Sequence, residues 1–141
     1  MNTFLVWVHP LVQAGAALAG FWAMWQGYKR IRMLLGKKSI FPWKQHVKLG
    51  TWSLILWTLG ALAFYTTHVV FGYAHVTGLH ASLAWPIIAL SLFGLASGYI
   101  MNRFKKKRKW LPIFHGISNT ALLCLVVLEC WTGIKLCMHF L

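Results

Sequence analysis

The sequence predicts an all-α protein, an integral membrane four-helix up-and-down bundle, and three observations support this fold class. Of the 141 residues 59% are apolar and only 11% are charged, whereas a soluble domain carries about 25% charged residues. Fourteen Lys and Arg residues stand against a single acid. The apolar residues gather into four long runs with nine Trp among them. A basic nucleic-acid-binding domain would not contain such runs, so no nucleic acid is expected as a partner.

The four apolar runs are each long enough to cross a bilayer core of about 30 Å, which takes about 20 helical residues. They cover approximately residues 4–27, 47–71, 79–101 and 112–138. The connections between them are short, so sequential helices should pack antiparallel. The whole chain, residues 1–141, is then one transmembrane domain. The first run lacks a basic start and is long enough to span, so it is interpreted as a helix and not as a cleavable signal peptide.

The basic residues predict the orientation of the helices. Thirteen of the fourteen flank the first and third connections. The positive-inside rule places these connections in the cytoplasm, and it places both termini and the second connection on the outer side. The same charges suit binding to anionic membrane lipid.

The three cysteines, Cys124, Cys130 and Cys137, lie together in the last apolar run. They form no CxxC or CxxCH pattern, so a disulfide framework, a structural zinc site and a covalently attached c-type haem are not expected. We interpret them as small packing residues of a helix.

Four of the seven histidines share one position, about one turn inside the N-terminal end of a different run: His9, His46, His80 and His115. In the predicted topology His9 and His80 lie at the outer level, whereas His46 and His115 lie at the inner level. Their spacings nearly repeat, both within each half of the chain and between equivalent histidines of the two halves. The chain therefore looks like two similar hairpins related by an axis along the membrane normal.

This arrangement of histidines is typical of haem binding. Two neutral imidazoles that face each other from non-adjacent helices, inside an apolar bundle, are what bis-histidine ligation of a b-type haem iron requires. The sequence thus predicts two haem b groups, each bound by one pair. A metal-transport site would instead gather histidines at one level, often with carboxylates. Residues one turn beyond each ligand share its helix face and could make room for a porphyrin or orient a ring; they are Gln13, Gly50, Ala84 and Asn119.

Three histidines and the single acid remain. His68, His75 and His139 lie near the outer side, where they are either interfacial groups or part of a redox-partner, quinone or proton site. His68 also stays open as an alternative ligand at the outer level. Glu129 lies about 21 Å of helix beyond His115, in the outer half of the fourth run. It is interpreted as a protonated, hydrogen-bonded packing residue or, with His68, as an outer-side quinone or proton site.

The stretches around these residues resemble a known family. They are His9-Pro10, His46-Val-Lys-Leu-Gly50, Gly78-Leu-His80, and His115 through Asn119 to Trp131-Thr-Gly133. Over nearly the whole chain the arrangement resembles the cytochrome b561-like fold, closest to a small bacterial four-helix branch of it. The resemblance implies two haems b held by four core helices. It places one haem iron between His9 and His80 and the other between His46 and His115, in the bacterial cytoplasmic membrane.

The predicted function is transmembrane electron transfer by a di-haem b-type cytochrome, as a carrier or as a membrane subunit of a respiratory complex. The iron performs the redox chemistry, and no nicotinamide or flavin motif is present. Donor and acceptor are then separate molecules: a quinone, a periplasmic cytochrome or neighbouring subunits. Two alternatives stay open: a self-sufficient quinone-linked oxidoreductase of a small outer-side substrate, and a haem-free membrane scaffold or transporter whose histidines are structural. An enzyme and an electron-transfer subunit both fit the sequence.

Overall fold

The computed structural model describes residues 3–63 and 78–140 of the chain. This part contains four helices, α1 (Thr3–Leu34), α2 (Trp43–Gly60), α3 (Gly78–Arg103) and α4 (Trp110–Phe140). The prediction of an all-helical protein is confirmed for the described residues. Helices α3 and α4 match the predicted runs 79–101 and 112–138 to within a few residues at each end.

Helix α1 is longer than the predicted run 4–27. It continues for about two turns beyond residue 27 because neither Gly nor Pro interrupts the segment before Gly36. Gly36 has a φ of +73°, which favours glycine, and ends the helix. The backbone N–H of Lys37 donates to the Arg32 carbonyl at 3.0 Å, and that of Gly36 donates to the Met33 carbonyl at 3.1 Å. These two hydrogen bonds form a Schellman motif.

Helix α2 begins directly after Pro42 and ends at Gly60, whereas the predicted run covered residues 47–71. Its early start places His46 one turn inside the helix. The end of the predicted run, from residue 64, lies outside the described residues. So do His68 and His75, and so does the side chain of His139.

The four helices pack as a ring. Helix α1 packs on α2, α2 on α3, α3 on α4, and α4 packs back on α1. Within the first hairpin the helices are antiparallel: Trp57, late in α2, lies against Gly20, whereas His46, early in α2, lies against Gly27, later in α1. Helices α1 and α3 therefore lie diagonally across the ring, as do α2 and α4. These diagonals are the pairings that the predicted histidine sites require.

The core lies midway along the helices, and every helix contributes to it. Its buried side chains are Ala16, Ala17, Leu54, Trp57, Ile87, Leu122, Leu123 and Val126. Close van der Waals packing between the helices stabilises such a cluster. The polar histidines therefore lie toward the two ends of the ring, separated from each other by an apolar centre.

The outward faces of the helices are apolar as well. Large side chains are exposed on each helix, among them Leu18, Trp52, Trp85 and Ile117. Two helices, Gly78–Arg103 and Trp110–Met138, are long and apolar enough to cross a membrane, with mean hydropathies of 1.7 and 1.9. Within the described residues α1 and α2 are less apolar, since each contains three Trp, at least one Gln and two or more basic residues. Two of the four predicted spans are thus matched by length and composition.

The two strongly basic connections meet at the same end of the ring. The Nζ atom of Lys105, between α3 and α4, lies 4.3 Å from the ring centroid of Trp43 at the start of α2. This distance is within the range of a cation–π contact. The structure therefore gathers the basic residues of both connections at one end.

Candidate functional site

The four predicted ligand histidines come together as two pairs. The ring centroids of His9 and His80 lie 6.3 Å apart with an angle of 88° between the ring planes. The ring centroids of His46 and His115 lie 6.5 Å apart with an interplanar angle of 70°. All four side chains are partly buried. Each pair joins diagonal helices, α1 with α3 and α2 with α4.

The spacing within each pair fits a metal ion held between two imidazoles. A metal–imidazole nitrogen bond of about 2.0 Å on each side, and about 1.2 Å from nitrogen to ring centre, give about 6.4 Å between centroids for a linear arrangement. The observed 6.3 and 6.5 Å agree with this value. Within residues 3–63 and 78–140, no three His, Cys, Asp or Glu side chains gather around a common point. Each pair thus offers two nitrogens, the number of axial ligands of a six-coordinate haem iron.

The ring of His46 is oriented by the backbone of the neighbouring helix. Its Nδ1 lies 2.8 Å from the carbonyl oxygen of Ala23 in α1. A carbonyl oxygen only accepts hydrogen bonds, so Nδ1 carries the proton and donates. In a neutral imidazole Nε2 then holds the free lone pair, which is the state that binds a metal.

A hydroxyl group of the neighbouring helix orients the ring of His115. Its Nδ1 lies 2.8 Å from Oγ of Ser97 in α3, and the Ser97 hydroxyl donates its single proton to the Phe93 carbonyl at 2.7 Å. The Ser97 oxygen therefore accepts from Nδ1. The Nε2 atom of His115 is again the nitrogen available to a metal.

His80 repeats this arrangement from the opposite helix. Its Nδ1 lies 2.9 Å from Oγ1 of Thr132 in α4, and the Thr132 hydroxyl donates to the Glu129 carbonyl at 3.0 Å. In the second hairpin each helix thus orients the histidine of the other helix. Hydrogen bonds of this kind fix the tautomer and the ring direction of metal-binding histidines.

Ser97 and Thr132 contact the paired histidines, and the sequence prediction missed them. A signal for them is present, because Ser97 follows His80 at the same spacing at which Thr132 follows His115. A histidine followed at this fixed distance by a hydroxyl residue thus occurs twice. This repeated spacing leads to a contact only because α3 and α4 pack antiparallel, which brings the hydroxyl of one helix beside the histidine of the other.

The two pairs lie at separate levels of the ring. Along α1, the carbonyl that holds His46 lies about 21 Å of helix beyond His9. Along α3, Ser97 lies about 25 Å of helix beyond His80. These lengths agree with the two separate levels that the sequence predicts for the histidines.

Glycines lie beside three of the rings. A β-carbon on Gly27 would lie 3.4 Å from Cε1 of His46, and one on Gly133 would lie 3.2 Å from Cε1 of His80. The third glycine, Gly98, lies beside His115. A larger side chain at any of these positions would enter the space of the ring.

The residues predicted one turn beyond the ligands have different surroundings. The Nδ2 atom of Asn119 donates to the His115 carbonyl at 2.7 Å and lies 3.4 Å from its Nδ1, so Asn119 borders the ring. Gln13 instead donates from Nε2 to the Leu56 carbonyl at 2.9 Å and holds α1 to α2. A β-carbon on Gly50 would meet a single neighbour, the Ala23 β-carbon, at 3.9 Å, so this position leaves room.

Glu129, predicted in the outer half of the fourth helix, lies beside His80. Its Oε1 is 3.4 Å from Nδ1 of His80, and each side chain is 19% exposed. Its Oε2 is buried without a hydrogen-bond partner. His68, the other residue of the predicted outer-side quinone or proton site, lies outside the described residues, so the structure brings only Glu129 to this level.

A cation lies close to the other pair. The Arg30 guanidinium is 5.4 Å from the Phe41 ring centroid, and the Phe41 ring is 5.3 Å from that of His46. Arg30 is exposed at the basic end of the ring. The His46–His115 pair is therefore the one next to positive charge, as expected for the inner level.

The chain was compared with protein-family models, with curated proteins and with solved structures, and none of them matches it.

Proposed function

We propose that the chain is a four-helix di-haem cytochrome b that carries electrons across the bacterial cytoplasmic membrane. The observation that carries this proposal is the pair of diagonal histidine contacts, 6.3 and 6.5 Å between ring centroids, at two levels of one helix ring. Edge-to-face ring packing also gives such distances; the added support is that the pairing occurs on both diagonals of the ring.

The residues around the pairs support the proposal because they prepare the rings for coordination. The Ala23 carbonyl, the Ser97 hydroxyl and the Thr132 hydroxyl each accept a hydrogen bond from Nδ1. The Nε2 lone pairs of His46, His80 and His115 are therefore free to bind iron. A bound haem would supply a reversible one-electron couple at each level.

The apolar centre of the ring has a role of its own in this proposal. Buried side chains, among them Leu54, Trp57 and Leu122, fill the space between the two levels. A packed apolar region excludes water and mobile ions. Electrons could then pass between the levels through protein, without a path for protons or ions.

The membrane location is part of the proposal. Exposed apolar side chains on all four helices suit contact with lipid. The basic connections at one end suit a cytoplasmic side rich in anionic lipid, with the His46–His115 pair as the inner site. A quinone, a periplasmic cytochrome or a neighbouring subunit would exchange electrons with the two sites.

The decisive experiment is to purify the full chain in detergent and measure its haem content. We expect a reducible b-type absorption band and, by pyridine haemochrome, about two haems per chain. A variant with one ligand removed from each pair, His9→Ala with His115→Ala, is the matched control and should bind no haem at unchanged helical content. Absence of any b-type band in the wild-type protein would contradict the cytochrome and favour the haem-free scaffold or transporter.

A further inference from the structure

The two histidine pairs differ in the groups that surround their Nδ1 atoms. Beside His115, Nδ1 has the Ser97 hydroxyl at 2.8 Å and the Asn119 amide at 3.4 Å. Beside His80, Nδ1 has the Thr132 hydroxyl at 2.9 Å and a Glu129 carboxyl oxygen at 3.4 Å. At 3.4 Å from Nδ1 there is thus a carboxyl oxygen from the neighbouring helix beside His80, and an uncharged amide nitrogen from the same helix beside His115.

The Glu129 carboxyl group has few other partners. Its Oε2 is buried without a hydrogen bond, and its Oε1 faces Nδ1 of His80. Glu129 is also the single acid of the whole chain. The interaction of this carboxyl group is therefore directed at the His80 ring.

We propose that Glu129 is a positioning residue that acts through His80 and lowers the reduction potential of the haem at the His9–His80 level. This inference rests on the proposed function. The Nδ1 proton of His80 is donated to Thr132, and the ionised carboxylate of Glu129, 3.4 Å from the same Nδ1, stabilises positive charge on the ring and makes Nε2 a stronger donor to iron. A stronger donor and an added negative charge both favour the ferric state over the ferrous state. The His46–His115 haem lacks this effect, because Asn119, which lies 3.4 Å from Nδ1 of His115, is an uncharged amide on the same helix as His115.

The consequence concerns how readily the haem at the His9–His80 level accepts an electron. The haem beside Glu129 becomes a weaker electron acceptor than it would be in the same chain with a neutral residue at position 129. This effect on the reduction potential comes from one side chain and not from the ligands, since two histidines would hold the haem at each level.

The test is a redox titration of the haem-loaded Glu129→Gln variant beside the wild-type protein. The absorption of each haem reports its oxidation state. To isolate one haem, the substitution is also made together with His46→Ala, which removes a ligand of the other level. At a fixed electrode potential we expect Glu129→Gln to raise the ferrous/ferric ratio of the His9–His80 haem about tenfold, equivalent to about 59 mV for one electron. The other haem should not shift.

Two further variants complete the test. Glu129→Asp keeps the carboxyl group and should retain most of the effect, whereas Trp131→Phe, a change at an exposed position, should shift neither haem. The uncharged variant Glu129→Ala should also raise the potential of the His9–His80 haem, and it provides the test if Glu129→Gln fails to assemble.

The outcomes separate this inference from the proposed function. Two haems per chain with unchanged potentials in Glu129→Gln would overturn the role of Glu129 and leave the cytochrome intact. If Glu129→Gln does not assemble, two haems with unchanged potentials in Glu129→Ala would overturn it in the same way. Absence of haem from the wild-type protein would instead overturn the function on which the inference rests.

Discussion

Gly27 in α1 and Gly98 in α3 occupy equivalent places against two different histidine rings. A β-carbon on Gly27 would lie 3.4 Å from Cε1 of His46, and one on Gly98 would lie 3.5 Å from Cε1 of His115. The separation of the two glycines along the chain equals that of His9 and His80. The repeat expected from the histidine spacing therefore extends to the packing around the rings.

This equivalence predicts a graded response to side chains at Gly98. Gly98→Ala should keep both haems, because 3.5 Å is an ordinary van der Waals contact. Gly98→Leu should push the His115 ring out of place and reduce haem content from about two to about one per chain. Pyridine haemochrome on the purified variants measures this. Equal haem content in Gly98→Leu and wild type would show that the ring is not confined here.

Single ligand substitutions should separate the two sites. His46→Ala and His115→Ala should each remove one haem, and His9→Ala and His80→Ala should each remove the other, leaving about one haem per chain. The remaining haem should have the same spectrum within each pair of variants and a different one between pairs. Low-temperature absorption spectra distinguish the two. His68→Ala is the matched control and is expected to keep both haems. Loss of one haem in this variant would indicate that His68 is a ligand at the outer level.

The hydroxyl groups that hold the rings should affect haem retention. Ser97→Ala should weaken binding of the haem at His115, and Thr132→Val should weaken binding at His80, each by roughly 10–100-fold. Each substitution removes an acceptor of the Nδ1 proton, so the ring loses its fixed direction. The rate of haem transfer to excess apomyoglobin gives the measurement. A faster loss of both haems in either variant would indicate general destabilisation instead.

The packing of α1 on α2 predicts a matched pair of glycine substitutions. On Gly20, a β-carbon would overlap the Trp57 ring, with Cζ2 at 2.8 Å, whereas on Gly15 it would meet nothing within 4 Å. Gly20→Ala should lower the free energy of unfolding by about 1–3 kcal/mol. Gly15→Ala should leave it unchanged or raise it by up to about 1 kcal/mol, since alanine favours helix. Thermal unfolding in detergent compares the two; similar stabilities would contradict the tight Trp57 contact.

Much of the candidate site was predictable because its ligands follow one rule. Each of four histidines lies near the start of a helix, and the apolar runs predict where these helices lie; the histidines are His9, His46, His80 and His115. The partners of the rings were not predictable in the same way. The Ala23 carbonyl has no residue signature at all, because any residue supplies a backbone carbonyl.

The role of Gln13 shows the limit of reasoning along one helix. Its place one turn after His9 predicts a residue beside the haem, and the structure adds that its amide nitrogen donates to the Leu56 carbonyl in α2. A polar side chain in an apolar setting takes the acceptor that the neighbouring helix offers. Position on a helix face alone does not specify that acceptor.

The sequence by itself determined the four described helices, the two levels of histidines and the concentration of charge in two connections. These are properties of spacing and composition, which local helix geometry converts into position. Only the tertiary structure decided that Ser97 and Thr132 fix the rings and that Glu129 faces His80. Those contacts join different helices or depend on how a helix is rotated toward its neighbour, and that rotation is set by the packing of the whole core.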